Sequence, residues 1–64
     1  MAILSPYRGK RILIIDDVAA MRTSIRSQVI SLGIDQANVA ADVRRALELL
    51  QSSRIDIILC DYYL

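Results

Sequence analysis

Histidine is absent from the sequence, and cysteine occurs only once, at Cys60. Without histidine, the chain has no His-based zinc site and no Ser-His or Cys-His catalytic pair of its own. A lone cysteine excludes a disulfide within the chain. Because Cys60 lies at the end of an apolar run, it is predicted to be a small buried hydrophobic residue rather than a reactive or metal-binding thiol.

An excess of charge of either sign is also absent. Eight Lys and Arg residues stand against seven Asp and Glu residues, which gives a formal net charge of +1. This balance gives no electrostatic reason to expect binding to nucleic acid or to an anionic membrane. No apolar stretch approaches the roughly 20 residues of a membrane span, and residues 1–6 do not resemble a secretory signal. We therefore expect a cytoplasmic location.

What the chain does have is a high hydrophobic content for its length. It is 64 residues long and 55% hydrophobic, so it is one domain at most and not a disordered tail. Pro6 and Gly9 favour turns near the start. We interpret residues 1–9 as a lead-in segment and residues 10–64 as the domain.

Two continuous apolar runs end in aspartate. Lys10–Ile15 is predicted to be a strand and leads into Asp16 and Asp17, and Ile55–Cys60 is predicted to be a strand that leads into Asp61. Unbroken apolar runs are typical of strands that are covered on both faces, as in a parallel sheet. A shorter and less apolar run at residues 36–40 predicts an edge strand.

The first of two predicted helices covers residues 18–32. Asp17 is predicted to cap it, and Gly33 is predicted to end it in a left-handed conformation. Arg22 and Arg26 are interpreted as a solvated pair on its outer side. Met21 is predicted to be a core residue. The apolar face of this helix is predicted from the spacing of five residues: Val18, Met21, Ile25, Val29 and Leu32.

The second predicted helix begins after Asp42, its expected N-cap, and ends by Arg54. Arg44 and Glu48 are four residues apart and are predicted to pair on the exposed side. The strands and helices alternate, which implies parallel strands joined by right-handed crossovers and an α/β fold. The apolar face of this helix is predicted from the spacing of four residues: Val43, Ala46, Leu47 and Leu50.

The three aspartates at strand ends predict a common site. In open parallel sheets, ligands gather beyond the carboxyl ends of the strands. If the first and third strands are neighbours, Asp16, Asp17 and Asp61 converge there, and a cation offsets their mutual repulsion. Hard carboxylate oxygens favour Mg²⁺ (or Mn²⁺) over zinc or copper. The constellation therefore predicts phosphoryl chemistry, with one carboxylate as nucleophile.

Five motifs together resemble the first half of a response regulator receiver domain of the chemotaxis-regulator type. The spacing of 44 positions between Asp17 and Asp61 is also typical of that family. The resemblance implies the first half of a flavodoxin-like doubly wound fold, with a three-stranded parallel sheet in the order 2-1-3 and two crossover helices. The motifs are Ile14-Ile15-Asp16-Asp17, Met21-Arg22, Leu32-Gly33, residues 45–50 and residues 56–64.

The resemblance also implies a role for each carboxylate. Asp61 matches the phosphoacceptor, which attacks a phosphohistidine on a sensor histidine kinase or phosphotransfer protein and also contacts the metal. Asp17 matches a direct Mg²⁺ ligand, and Asp16 matches a residue that acts mainly through a bound water. The backbone carbonyl of Tyr63 matches a further metal ligand. Such a domain is not an enzyme but a phosphoacceptor that assists its own phosphotransfer.

The 64 residues carry only part of the receiver pattern. A complete receiver has further strands and helices, with a Ser or Thr and a Lys that contact the phosphoryl group. Lys10 is at the start of the first strand, at the opposite edge of the sheet, so it cannot substitute. We therefore expect residues 10–64 to be a partial receiver domain that does not switch normally by itself and that self-associates through an exposed third strand.

Two other interpretations stay open. In the first, the chain is a self-associating interaction module whose aspartates are only helix caps and pocket polar groups, and its stability does not respond to Mg²⁺. In the second, it is a Mg²⁺-dependent phosphatase with an aspartyl nucleophile. Such phosphatases place an Asp-x-Asp motif after the first strand, a pattern that Asp16-Asp17-Val18 does not match.

Overall fold

The computed structural model describes residues 6–61, and these alternate strictly between strand and helix. This confirms the order that the apolar periodicity predicts. No helix in this part of the chain is long and apolar enough to cross a membrane. The elements in chain order are β1 (Arg11–Asp16), α1 (Ala19–Ser31), β2 (Gln36–Ala40), α2 (Val43–Ser52) and β3 (Ile57–Asp61).

The three strands form one parallel sheet in the order β2-β1-β3, as predicted. Central strand β1 pairs Arg11 with Gln36 of β2 at one end, and Asp16 with Asp61 of β3 at the other. The central place of β1 accounts for its burial: among the described strands, its aliphatic residues alone are buried throughout. Among the described residues, β2 and β3 are the edges of the sheet.

The side chains of β1 alternate between two small hydrophobic cores, one on each face of the sheet. Ile12 and Ile14 pack with Val29 of α1 and with Ile34. Leu13, with Ile15, packs against α2 on the opposite face. The two helices therefore cover opposite faces, which is the arrangement that right-handed crossovers produce when β1 lies between β2 and β3.

The start of helix α1 differs from the prediction, whereas its end agrees with it. Val18 is its N-cap and forms no side-chain cap bond, so the prediction that Asp17 caps this helix is wrong. Instead, the buried carboxylate of Asp16 accepts a hydrogen bond from the Val18 N–H. At the other end, Gly33 adopts the predicted left-handed conformation with φ of 97°. Ile34 then donates its backbone N–H to the Val29 carbonyl, which closes the helix.

The apolar face of α1 is narrower than the spacing predicts. Val29 is buried and Ile25 is partly buried against the core. Val18, Met21 and Leu32 are about half exposed, so the prediction that Met21 belongs to the core is wrong. Of the predicted stripe, therefore, only Ile25 and Val29 in the middle of the helix pack against the core.

Helix α2 begins as predicted. The Asp42 side chain accepts a hydrogen bond of 2.8 Å from the Arg45 N–H, and Arg44 pairs with Glu48 at 3.4 Å. Its buried face, however, consists of Ala46 with Leu49. The other three members of the predicted face are exposed, so this part of the prediction is wrong: Val43 over 36%, Leu47 over 53% and Leu50 over 39% of their surfaces.

Strand β3 is less buried than predicted. It begins at Ile57, two residues after the predicted start, and Ile58 and Leu59 are exposed over 49% and 41% of their surfaces. Cys60 is exposed as well, so its prediction as a buried residue is wrong. The reason is geometric: α1 and α2 pack over β1 and β2 in the described structure, and of β3 only Ile57 packs against the core beneath α1.

A polar clamp joins β1 to β3 at the opposite edge of the sheet from the three strand-end aspartates. Asp56 accepts a bond of 2.8 Å from the Arg11 N–H and donates its own N–H to the Arg11 carbonyl. Arg54 also lies 3.5 Å from the Asp56 carboxylate. The hydrogen bond from the Arg11 backbone is the main cause that lowers the pKa of Asp56, and the positive charge of Arg54 lowers this pKa further.

Candidate metal centre

Asp16 is the buried member of the acidic constellation. It ends β1, and only 2% of its surface is exposed. Its Oδ1 accepts a hydrogen bond of 2.9 Å from the Val18 N–H. Its Oδ2 is buried without a hydrogen-bond partner among the described residues. A buried carboxylate oxygen that lacks a partner is energetically costly, so Asp16 presents an acceptor for a donor or a cation.

Asp61 lies beside Asp16 on the neighbouring strand. The two residues are paired in the parallel register of β1 and β3. Their side chains also share one face of the sheet. Residues an even number of positions apart on a strand point to the same face. Asp16 therefore shares a face with Ile14 on β1, and Asp61 shares a face with Ile57 on β3. Both isoleucines pack in the core beneath α1. Unlike Asp16, Asp61 is exposed, so a reactant from solvent reaches its carboxylate.

A shallow groove of about 320 Å³ opens next to Asp61. Ile25 and Gln28 of α1 form one wall, and Leu59 to Asp61 of β3 form the other. The mouth of this groove therefore presents the Asp61 carboxylate with both apolar and amide groups around it. This gives Asp61 a concave and accessible setting, as a nucleophile requires.

Asp17 is exposed in the short bend between β1 and α1. Its position immediately after β1 puts it at the same edge of the sheet as Asp16 and Asp61, as the sequence predicts. Within residues 6–61, however, no three Asp, Glu or Cys side chains are grouped closely enough to hold a metal ion. The structure therefore brings Asp16 and Asp61 to paired positions and leaves Asp17 at the rim. Tyr63, the predicted carbonyl ligand, lies outside the described residues.

The two arginines of α1 have specific partners that sequence reasoning missed. Arg22 is half-buried, and its Nη1 donates a bond of 2.8 Å to the backbone carbonyl of Asp16. Arg26 donates from Nε to the Ala37 carbonyl of β2 at 3.3 Å. Their interpretation as a merely solvated pair is therefore wrong. No pattern in the sequence indicates such bonds, because each acceptor is a main-chain carbonyl.

The residues present fit a hard divalent cation. All the side-chain donors at this edge are carboxylate oxygens, which Mg²⁺ prefers, and Mg²⁺ usually takes one or two carboxylates and retains several waters. The unpartnered Oδ2 of Asp16 is the specific observation that calls for such a group, because a cation or one of its waters would satisfy it. Asp61 is the register partner of Asp16 on β3 and supplies a second carboxylate.

The fold and the site together define a class of protein. An open parallel sheet in the order β2-β1-β3, with helices on both faces and carboxylates at its carboxyl edge, is the first half of a flavodoxin-like doubly wound fold with an acidic pocket. Residues 12–64 match the response regulator receiver domain, and the chain belongs to this family. Its role is that of a receiver in two-component signalling. Comparisons with curated proteins and with solved structures found no match.

Proposed function

We propose that this chain is a phosphoacceptor and that Asp61 is its nucleophile. A carboxylate oxygen of Asp61 attacks the phosphorus of a phosphohistidine on a sensor histidine kinase or phosphotransfer protein. The phosphorus–nitrogen bond breaks, and the histidine leaves with the bonding pair. The chain is not an enzyme in this reaction, since the group that it helps to transfer stays on its own side chain. The proposed setting is the cytoplasm, where such partners present their histidines.

A divalent cation, Mg²⁺ or Mn²⁺, belongs to this proposal. It supplies charge that offsets the negative charge of the phosphoryl oxygens during transfer. Asp17 would bind it directly, Asp16 through a water, and Asp61 and the Tyr63 carbonyl would complete the protein ligands. The observation that best supports the proposal is the register pairing of Asp16 with Asp61, because it sets the nucleophile beside a buried carboxylate that has an unpartnered oxygen.

Labelling with acetyl phosphate, a small phosphoryl donor, tests the proposal. Because residues 10–64 carry only part of the receiver pattern, we expect weak, Mg²⁺-dependent incorporation of phosphoryl at a single site, measured by intact-protein mass spectrometry, and its loss in Asp61→Asn. The matched control is Asp42→Asn, which changes an exposed aspartate but retains the helix cap, since Asn caps as well as Asp. Equal labelling of Asp61→Asn and the parent, or labelling that EDTA does not reduce, would contradict the proposal.

A second candidate function is self-association through β3, and the exposure of this strand favours it. Ile58 and Leu59 leave apolar surface open on both faces of an edge strand, and such edges pair readily with other strands. If this were the whole function, the aspartates would serve only as caps and pocket groups, and Mg²⁺ would not change stability. Sedimentation of the parent and of Leu59→Lys decides: association that the lysine abolishes supports this role, and a monomeric parent contradicts it.

A further inference from the structure

We propose that Arg22 is the positioning residue of the acidic pocket: it fixes the bend that carries Asp17. This inference rests on the proposed function, because it explains how Asp17 is held where a metal ligand is needed. Asp17 itself is exposed in the bend between β1 and α1. Its place is therefore set by the main chain on either side of it, and that main chain is where Arg22 acts.

The peptide units on both sides of Asp17 are held by hydrogen bonds. The unit before it is held through the Asp16 carbonyl, which accepts from Arg22 Nη1 at 2.8 Å. The unit after it is held through the Val18 N–H, which donates to Asp16 Oδ1 at 2.9 Å. Both soft dihedral angles of Asp17 are thereby restrained, although its side chain is exposed.

Arg22 is itself anchored to the same segment. Its backbone N–H donates to the Val18 carbonyl at 3.0 Å, as part of the first turn of α1. The arginine thus joins helix α1 to the residue before Asp17 and to the residue after it. A guanidinium suits this task because it stays charged at all physiological pH values and its several N–H groups have fixed directions.

Loss of the Arg22 charge and loss of its hydrogen bond should change the Mg²⁺ affinity in opposite directions. A guanidinium near a cation site repels the cation, so removal of its charge alone would tighten Mg²⁺ binding. Loss of the bond to Asp16 loosens the bend, and Asp17 must then be ordered when the cation binds, which weakens binding. The sign of the change in Mg²⁺ affinity therefore separates positioning from electrostatics.

The chain offers a matched control. Arg26 lies on the same helix, carries the same charge and also bonds to a main-chain carbonyl, but that carbonyl belongs to Ala37 of β2. Arg22→Met and Arg26→Met each remove one charge and one such bond and keep an unbranched side chain that favours helix. Only the first removes the link to Asp16. Arg22→Lys retains a charged donor and is the conservative variant.

The first measurement needs no metal. Amide hydrogen exchange at Val18 reports the closure of the bend, and exchange at buried Leu13 reports opening of the sheet. We expect Val18 to exchange about tenfold faster in Arg22→Met, as the loss of one bond to a charged group implies, while Leu13 changes less. In Arg26→Met we expect Val18 to exchange as in the parent, and in Arg22→Lys at an intermediate rate.

The second measurement is the Mg²⁺ dissociation constant, taken from amide shifts at increasing Mg²⁺. We expect it to rise about fivefold or more in Arg22→Met and to stay within about twofold of the parent in Arg26→Met. Mg²⁺ binding that is unchanged or tighter in Arg22→Met, together with parental exchange at Val18, would overturn the inference. If the parent binds no Mg²⁺, the proposed function fails instead, and exchange at Val18 still decides whether Arg22 orders the bend.

Discussion

Replacement of Asp16 by Asn should make the metal-free chain more stable and should abolish its response to Mg²⁺. Asp16 is a buried carboxylate that ends β1 beside a second carboxylate, Asp61. In Asp16→Asn the amide oxygen can keep the bond that Oδ1 accepts from the Val18 N–H. The amide nitrogen takes the place of the unpartnered Oδ2, and the substitution removes a buried negative charge beside Asp61, the register partner of Asp16.

The size of this effect follows from the two oxygens of Asp16. A buried acceptor without a partner costs about 1–3 kcal/mol, and relief of that cost stabilises the variant. Against this, the bond to Val18 weakens when a neutral amide replaces the carboxylate, by up to about 1 kcal/mol. We therefore expect the free energy of unfolding without metal to rise by about 1–2 kcal/mol. For a domain of this size, each 1 kcal/mol shifts the melting temperature by about 4–8 °C.

Urea unfolding in EDTA and in Mg²⁺ measures both halves of the prediction. The parent should gain about 2.7 kcal/mol when Mg²⁺ is present at roughly one hundred times its dissociation constant, whereas Asp16→Asn should gain nothing. The order of stabilities then reverses between the two buffers. A variant that is less stable than the parent in EDTA, or one that gains as much from Mg²⁺, would refute the reasoning.

Three further changes test the fold. Asp42→Ala should lower the free energy of unfolding by about 1 kcal/mol in urea titrations, because it removes the cap of α2, and Asp42→Asn should not. Leu13→Ala should cost about 3–5 kcal/mol and leave little folded chain by circular dichroism, whereas Leu47→Ala, on an exposed side chain, should cost well under about 1 kcal/mol. The folded-state pKa of Asp56 is lowered, so ionised Asp56 stabilises the fold above its unfolded pKa of 3.8, and this stabilisation is lost as the pH falls through the lower folded pKa. Thermal melts of Asp56→Asn should therefore lack this acid-induced loss of stability.

The fold could be predicted because its main signals are local. The unbroken apolar run of β1 predicts a strand that is covered on both faces, and the structure buries it throughout. Asp42 and Gly33 indicate a helix start and a helix end through the backbone geometry that each residue favours, and both occur where predicted. The order β2-β1-β3 is implied by the resemblance to receivers, and right-handed crossovers then set the two helices on opposite faces.

Burial on β3 could not be predicted from the strand itself. Its apolar run has the same character as that of β1, yet Ile58, Leu59 and Cys60 are exposed in the described structure. The apolar pattern of a segment indicates which of its side chains favour burial, whereas their actual burial depends on which other elements pack against the segment. The same holds for Met21 and Leu47, which lie on predicted apolar faces and are exposed over 45% and 53% of their surfaces.

The placement of the strand-end aspartates could be predicted from the sequence, but their hydrogen bonds could not. Strand ends indicated Asp16, Asp17 and Asp61, and the parallel register does bring Asp16 beside Asp61. Which of two adjacent aspartates turns inward depends on the pleat of β1, and the structure buries Asp16 rather than using Asp17 as a cap. No sequence pattern indicates the hydrogen bond from Arg22 to the main-chain carbonyl of Asp16.

The most direct test of the acidic site is paramagnetic broadening of backbone amide signals by substoichiometric Mn²⁺, which substitutes for Mg²⁺ at sites of carboxylate oxygens. The account predicts that the amides of Asp16, Asp17 and Asp61 broaden first and together. Asp35 and Asp56, which precede β2 and β3 at the opposite edge of the sheet, are internal controls and should stay sharp. Broadening that centres on either control, or that spreads evenly over all aspartates, would contradict a metal site at the carboxyl edge of the sheet.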